Sequence, residues 1–544
     1  MREGDFPTEF NDDIGIVEKI NELLGIDSRE KVNSGEVVKA IILNGLGFVS
    51  KPLYLFPKFF EDKAIGHLFG KGINAEDFND DKLGRVMDKL YKYGLSELFL
   101  MIVLATIKKY KVSTKYSHLD STSLHLHGEY NSSLNDENKE LEIMKENPII
   151  IKQGYSRDPS GSQSLMGETP KTALTHHRPD LKQCILDLIV SSDGDIPLYF
   201  RGGSGNESDK AVFGKLLVEY SRQINFESIM VADSALYSEK NLKLMGDIKW
   251  ISRVPLSIKK AKNLVKVLTS IEFKETTHKG YSYYEQQVTY GGVEQRWVIV
   301  ESQERKNADL KKLSKEIEKE SIKIQKTIAK LLKNEFSDLS EANSKISEID
   351  SKLKYHQIAD LEIIKHQPLQ GKFVYKVKCK FIKNRKVITE RQRQAGRFIL
   401  ATNILDRKEL NASEVLKVYK EQQSCERGFR FIKDPLFFAD SLFVKNPERV
   451  ETMMMLMGLC LLVYNIGQRQ LRTNLKKEGA AIKNQVNKLT ERPTLRWIFQ
   501  YFQGVHVLVI EGIKQIINLN KERQFILKYL PDSCQNYYLS SKIC

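Results

Sequence analysis

The sequence predicts an α/β protein: a mixed sheet with helices packed on it, split by a long insertion and flanked by helical N- and C-terminal regions. Three observations carry this prediction. KQCILDLIVSSDGDIPLYFRG makes two apolar runs about a turn at Ser192, Asp193 and Gly194, the pattern of a β-hairpin. A helical pattern (SDKAVFGKLLVEYSRQI), an apolar strand ending in acid (ESIMVADSA), a short helix (SEKNLKLMG) and another strand (KWISRVP) then alternate. Finally, RFILATN restores a sheet-like apolar run after more than a hundred residues of different character.

Residues 1–112 carry helical apolar spacing in IGIVEKINELLG, EVVKAIILNGLG and LGRVMDKLYKYGLSELFLMIVLATIKKY. They are expected to form a helical domain, either DNA-binding or a packing and dimerisation unit. The character changes at Tyr116, where KYSHLDSTSLHLHG reads as a strand. Residues 113–255 make the first part of the core, and the polar stretch 128–180 within it is expected to be a long loop. Residues 256–395 form the insertion, in which YSYYEQQVTYGG, EQRWVIVES and KFVYKVKCKFI suggest strands. Between them, Leu310, Leu313, Ile317, Ile324 and Leu331 keep heptad-like spacing, and Leu339, Ile346, Ile349 and Leu353 resume it after NEFSDLS, which predicts a helical hairpin. Residues 396–445 complete the core. Residues 446–544 form a helical C-terminal region, a candidate for dimerisation, with Arg449, Arg469, Arg472, Lys476 and Lys477.

Composition narrows the function classes. Of the 544 residues, 41% are hydrophobic, enough for real cores. Lysine plus arginine exceed aspartate plus glutamate by 85 − 70 = 15, a bias that suits a polyanionic partner. MREGDFPTEFNDD is acidic and has no apolar segment, so no signal peptide is expected, and the chain is expected to stay in the cytoplasm. MMMLMGLCLLVY (Met453 to Tyr464) is too short to span a bilayer and reads as a buried helix, so no membrane partner is expected. The six cysteines are scattered without CxxC pairs, against both a zinc ribbon and a disulfide framework.

The chemistry concentrates in VYKEQQSCERGFRFIKD, which Asn411 and Glu414 precede as a capping box. Read as one helical run at about 100° per residue, it places Tyr419, Gln422, Glu426 and Lys433 within an arc of about 60°, with Arg430 at its edge. Val418, Cys425, Phe429 and Ile432 form the apolar stripe beside them. Two further acids lie in or at the end of apolar strands, where an ionised group needs compensation: Asp120 and Asp233. Three carboxylates without cysteine suit a pair of hard divalent cations, Mg²⁺ or Mn²⁺, in phosphodiester chemistry.

HLDSTS, HRPDLKQCILDLIVSSDGDIPLYFRGGSGNESDK, MVADSALYS, WISRVP and the spacing Tyr419-x2-Gln-x3-Glu426-x6-Lys433 together resemble bacterial insertion-sequence transposases of the DDE class. That group carries a Y-x2-R-x3-E-x6-K signature and a β-rich insertion before the glutamate. The resemblance implies a ribonuclease H-like core and cut-and-paste DNA transposition. It implies Asp120, Asp233 and Glu426 as the catalytic, metal-binding triad with two Mg²⁺ or Mn²⁺ ions. Its implied partners are transposon terminal inverted repeats, target DNA and a second copy in a synaptic homodimer. Tyr419, Gln422, Arg430 and Lys433 would then meet DNA, and Trp297 would either stack on a flipped base or pack inside the insertion. Two departures stand out: Gln422 replaces the signature arginine, and PSGSQSLMGETPKTALTH separates GYSRD from HHRPDLKQ. They leave open an inactive or domesticated DNA-binding derivative, or a nuclease without strand transfer.

Other residues have simpler readings. His118, His125 and His127 surround Asp120, but alternation points His125 and His127 to the face opposite it, against a zinc site. Asn206 and Asp193 read as turn residues, and Asp187 as an acid facing outward from its strand.

Overall fold

The computed structural model describes residues 5–47, 55–61, 63, 65–70, 72–126, 148–153, 181–224, 226–367, 373–434, 446–510 and 513–539. The expected loop 128–180 therefore lies largely outside them, as do His127, GYSRD and the segment before HHRPDLKQ. The chain divides into two compact units, Met1–Trp250 with Val418–Cys544, and Ile251–Lys417.

The first unit begins with helices α1 (Asp5–Ile14), α2 (Ile16–Leu24), α3 (Ser34–Leu46), α4 (Phe56–Phe60), α5 (Ile65–Leu68), α6 (Asp80–Tyr93) and α7 (Leu95–Tyr110). A capping box between Asn33 and Glu36 opens α3. Gly94, at φ 108°, breaks the long apolar run into α6 and α7, which bend by 87°. Strands β1 (Tyr116–Leu126), β2 (Lys182–Ser191) and β3 (Pro197–Ser204) follow. Then come α8 (Asp209–Gln223), β4 (Ile229–Ala232), α9 (Glu239–Met245) and β5 (Trp250–Val254), which ends in the second unit.

Strand order in the first unit is β3-β2-β1-β4. β1 to β3 are antiparallel, and β4 joins β1 in parallel after the α8 crossover. This is the ribonuclease H-like arrangement of a mixed sheet. The hairpin read at Ser192–Gly194 is present, with Asp195 at φ 60° in its turn.

The second unit adds α10 (Lys259–Val267), β6 (Lys274–Glu275), β7 (Tyr281–Tyr290), β8 (Val293–Ser302), α11 (Gln303–Leu331), β9 (Glu335–Phe336) and α12 (Leu339–Ser351). β10 (His356–His366), β11 (Val374–Lys383), α13 (Arg385–Gln394), β12 (Arg397–Thr402) and α14 (Ala412–Lys420) follow. Its strands run in the order β12-β8-β7-β6, with β5 antiparallel to the free side of β12. α11 and α12 are the expected helical hairpin, and Leu331, Ala342 and Ile346 share a core with Val377 and Cys379 of β11.

The chain returns to the first unit through α15 (Gln423–Ile432), α16 (Pro447–Lys477) and α17 (Leu495–Phe502). α16 is long and apolar enough to cross a membrane, yet its most apolar window is 94% buried, as expected of a central core helix. Among the described residues, Cys184, Cys379, Cys425, Cys460 and Cys534 are all buried free thiols.

Candidate active site

Asp120 lies in the middle of β1, and Asp233 directly follows β4. The parallel register ends with the pair Leu119 and Ala232, so Asp120 and Asp233 are the next residues along two neighbouring strands. Ser121 N donates to Asp120 Oδ1 (2.9 Å), and Ala235 N donates to Asp233 Oδ1 (2.8 Å) in the turn that ends the strand.

Glu426 arrives from above. α15 packs on β1 and β2, and the Cys425 thiol donates to His118 O across the sheet (3.1 Å). Gly428 permits this approach, because a Cβ there would lie 3.2 Å from Leu461 Cδ2 and 3.3 Å from Leu188 Cδ2. Cys425 is buried while its neighbour Glu426 is exposed, so the carboxylate stands at the rim of the core.

These charges meet at Asp120. Burial first, and then the charges of Asp233, Asp209 and Glu426, push its carboxyl up to about 8 against the lowering hydrogen bond from Ser121. Asp209, the first residue of α8, is an acid the sequence reading passed over, because an acid at a helix start is an ordinary macrodipole partner. Burial holds the His118 imidazole down to about 4, and both of its ring nitrogens are buried without a hydrogen-bond partner among the described residues, so it is a neutral core residue.

The donor set, oxygen only and mutually repelling, fits hard divalent cations. As the side chains stand, no three His, Cys, Asp or Glu residues among those described form a ligand cluster.

Three expectations need correction. The run from Tyr419 to Lys433 is two helices, because the chain between α14 and α15 tightens into i→i−3 bonds, from Glu421 N to Val418 O, Gln422 N to Tyr419 O, Ser424 N to Glu421 O and Cys425 N to Gln422 O. At about 3.0 residues per turn, these steps rotate Tyr419 several tens of degrees away from the arc of Glu426. Gln422 and Lys433 become the N- and C-cap of α15, with Arg430 exposed in its last turn. The Asn411–Glu414 capping box is present (2.9 and 3.0 Å) but opens α14. Second, Trp297 is fully buried in β8, between Gln286 and Ala401 in register, with its indole N–H on Gln295 Oε1 (3.1 Å). It packs the insertion and offers no face to a base. Third, Asp187 is buried, accepting from Ser121 Oγ and from Arg201 Nη1 (2.7 Å). Asp193 and Asn206 do lie in turns, and Arg469 donates twice to Asp193 (2.9 and 2.7 Å).

The profile of the transposase DDE domain family matches residues 119–466, a span that contains Asp120, Asp233 and Glu426. The chain belongs to the DDE transposase family. As a family member it is a DDE transposase, an enzyme of DNA transposition, and the family implies use of divalent metal. Ahead of the transposase domain, residues 8–104 match a domain of unknown function, DUF4277. Among solved structures the chain is similar to a piggyBac transposase synaptic complex with hairpin DNA, at 9% identity over 98% of this chain and 82% of that one, with a TM-score of 0.37. Comparison with curated proteins gives no match.

Proposed function

We propose that this transposase mobilises a bacterial insertion sequence by cut-and-paste, cleaving DNA at terminal inverted repeats and joining the freed 3′-hydroxyl to target DNA. The observation that carries this reading is the placement of Asp120 in β1 and of Asp233 just past the adjacent parallel β4, with the Glu426 helix packed on β1 and β2. Asp120 and Asp233 would hold two Mg²⁺ or Mn²⁺ ions, with Glu426 completing one site. When bound, the ions lower the pKa of the attacking hydroxyl and neutralise charge on the leaving oxygen.

The protein's own part is positional. The strand backbone fixes the two aspartates, Ser121 N and Ala235 N orient their Oδ1 atoms, and Gly428 lets α15 settle close enough to present Glu426. Arg430 and Lys433 would hold backbone phosphates beside the scissile bond, with Gln422 contributing a neutral and therefore weaker hydrogen bond. Tyr419, set back by the tightened turn, would contact DNA farther from Glu426. DNA ends would be paired by two copies of the chain, in the cytoplasm at the nucleoid.

Incubating the full chain with DNA carrying the element's ends, target plasmid and Mg²⁺ tests the proposal. Excised element together with joined products supports it. Cleavage without joining would replace it with a simple nuclease, and binding without cleavage with a domesticated derivative.

A further inference from the structure

A cavity of about 290 Å³ in the first unit lies beside α15, walled by α16 and the start of α17. Its charge is lopsided. Arg427, Arg430, Arg472 and Arg496 face Asp195 and Asp434, an excess of two positive charges. Two of the arginines are committed: Arg427 forks onto Asp195 (2.7 and 2.8 Å), and Arg496 bonds Asp434 (2.7 Å). The other two have no carboxylate among the described residues. Arg430 is exposed at the mouth. Arg472 is partly buried and anchored through Nε to Pro493 O (2.9 Å), and among the described residues neither Nη group has a hydrogen-bond partner.

The surroundings favour one chemistry. Burial and the like charge of Arg492 lower the pKa of the Arg472 guanidinium, against the raising effects of Tyr464 and Asp195, and an anion beside it would offset both. Arginine presents planar, paired donors that match the oxygens of phosphate. The remaining wall supplies Asn465, already donating to Asp195 O (2.7 Å), and Tyr464, whose hydroxyl accepts from Arg496 N (3.2 Å), so the polar rim is built and held. The cavity is of the size of a small-ligand site, too small for a folded partner.

We propose that this pocket binds a phosphate group through Arg472 and Arg430, on the side of α15 that faces α16 and α17. The phosphate comes either from a DNA backbone or from a free phosphate. The DNA source rests on the DNA-acting function proposed above, whereas the free-phosphate source does not. Because Arg430 and Arg472 come from different helices, a phosphate between them would tie the Glu426 helix to the C-terminal core.

Two measurements on the full chain decide it, using wild type, the Arg430→Gln/Arg472→Gln double variant, Arg472→Lys, and Arg449→Gln as a charge control, since Arg449 pairs with Asp88 outside this cavity. The first is thermal unfolding in inorganic phosphate against sodium chloride of equal ionic strength. The expected result is a saturable rise in melting temperature in phosphate for wild type and Arg449→Gln, a reduced rise for Arg472→Lys, and none for the double variant. The second is the salt dependence of duplex DNA affinity. A DNA source predicts that the slope of log affinity against log salt falls by about 0.9 per lost phosphate contact in the double variant relative to Arg449→Gln. A phosphate-specific melting shift with an unchanged slope assigns the pocket to free phosphate. If wild type melts alike in both salts and the double variant keeps the control's slope, the pocket binds no phosphate and the inference fails. Wild type that binds no DNA at all, yet melts higher in phosphate, would remove the DNA reading and leave the pocket standing.

Discussion

Asp120→Asn is the most informative single perturbation, because the wild-type carboxyl carries a clear electrostatic signature. In the fold it is pushed up to about 8, from an ordinary value of 3.8. Between those values the folded chain binds a proton that the unfolded chain has released, so stability falls as pH rises through the window and levels off above about 8. One full proton of difference gives a slope of about 1.4 kcal/mol per pH unit, an upper figure because Asp120 keeps some solvent contact. The Asn variant removes this contribution, so urea unfolding without metal should find it gaining on wild type steadily from pH 5 to pH 8. The same proton competes with a divalent cation. For a group titrating near 8, about 1% is ionised at pH 6 and about half at pH 8, so Mn²⁺ affinity of wild type should rise about fiftyfold across that range. Titration calorimetry with Mn²⁺ reads this directly. An affinity that stays flat from pH 6 to 8, with parallel stability curves for wild type and variant, would refute the reasoning that the acids crowd Asp120.

Three further outcomes follow from buried side chains. Trp297→Ala should lower stability by about 3–5 kcal/mol in denaturant unfolding, because it empties a fully buried site in the second unit; a loss under 1 kcal/mol would show the indole to be less packed than its position between β12 and β7 indicates. Arg201→Met should cost about 3 kcal/mol or more by the same measurement, since it strands the Asp187 carboxylate, which is only 2% exposed, without its cation; a loss under 1 kcal/mol would show that the ion pair does not hold the two strands together. The Cys425 thiol, held well above its usual range by burial and then by Asp120, Asp195 and Glu426, should resist maleimide at pH 8 in the native chain and react on unfolding, as peptide mapping would show.

Much of the fold was legible because it follows local rules. The hairpin about Ser192–Gly194, the start of β1 at Tyr116, the helix–strand alternation to β5 and the return at RFILATN all appear where turn chemistry and apolar runs place them. The strand positions of Asp120 and Asp233 were legible for the same reason, since a charge inside SHLDS or VADSA breaks an apolar strand. What escaped depended on partners distant in sequence or on backbone detail. Asp187 looked outward until the hairpin register set it opposite Arg201, a pairing that could have been counted across the turn. The tightened turn at Glu421 and Gln422 leaves no trace in amphipathic spacing, because apolar residues continue on both sides of it. Asp209 was hidden by its ordinary place at a helix start. The arginine pocket needed α15, α16 and α17 brought together, which no single segment announces.

The central claim is that Asp120, Asp233 and Glu426 act as one catalytic centre on DNA. The most direct test is the Mg²⁺-dependent rate of cleavage at the element's ends for Asp120→Asn, Asp233→Asn and Glu426→Gln, with DNA affinity measured in parallel. The account predicts that each substitution removes cleavage, by at least about a thousandfold, while binding to DNA in the absence of metal remains near wild type. Cleavage at the wild-type rate by Asp120→Asn and Glu426→Gln would contradict it.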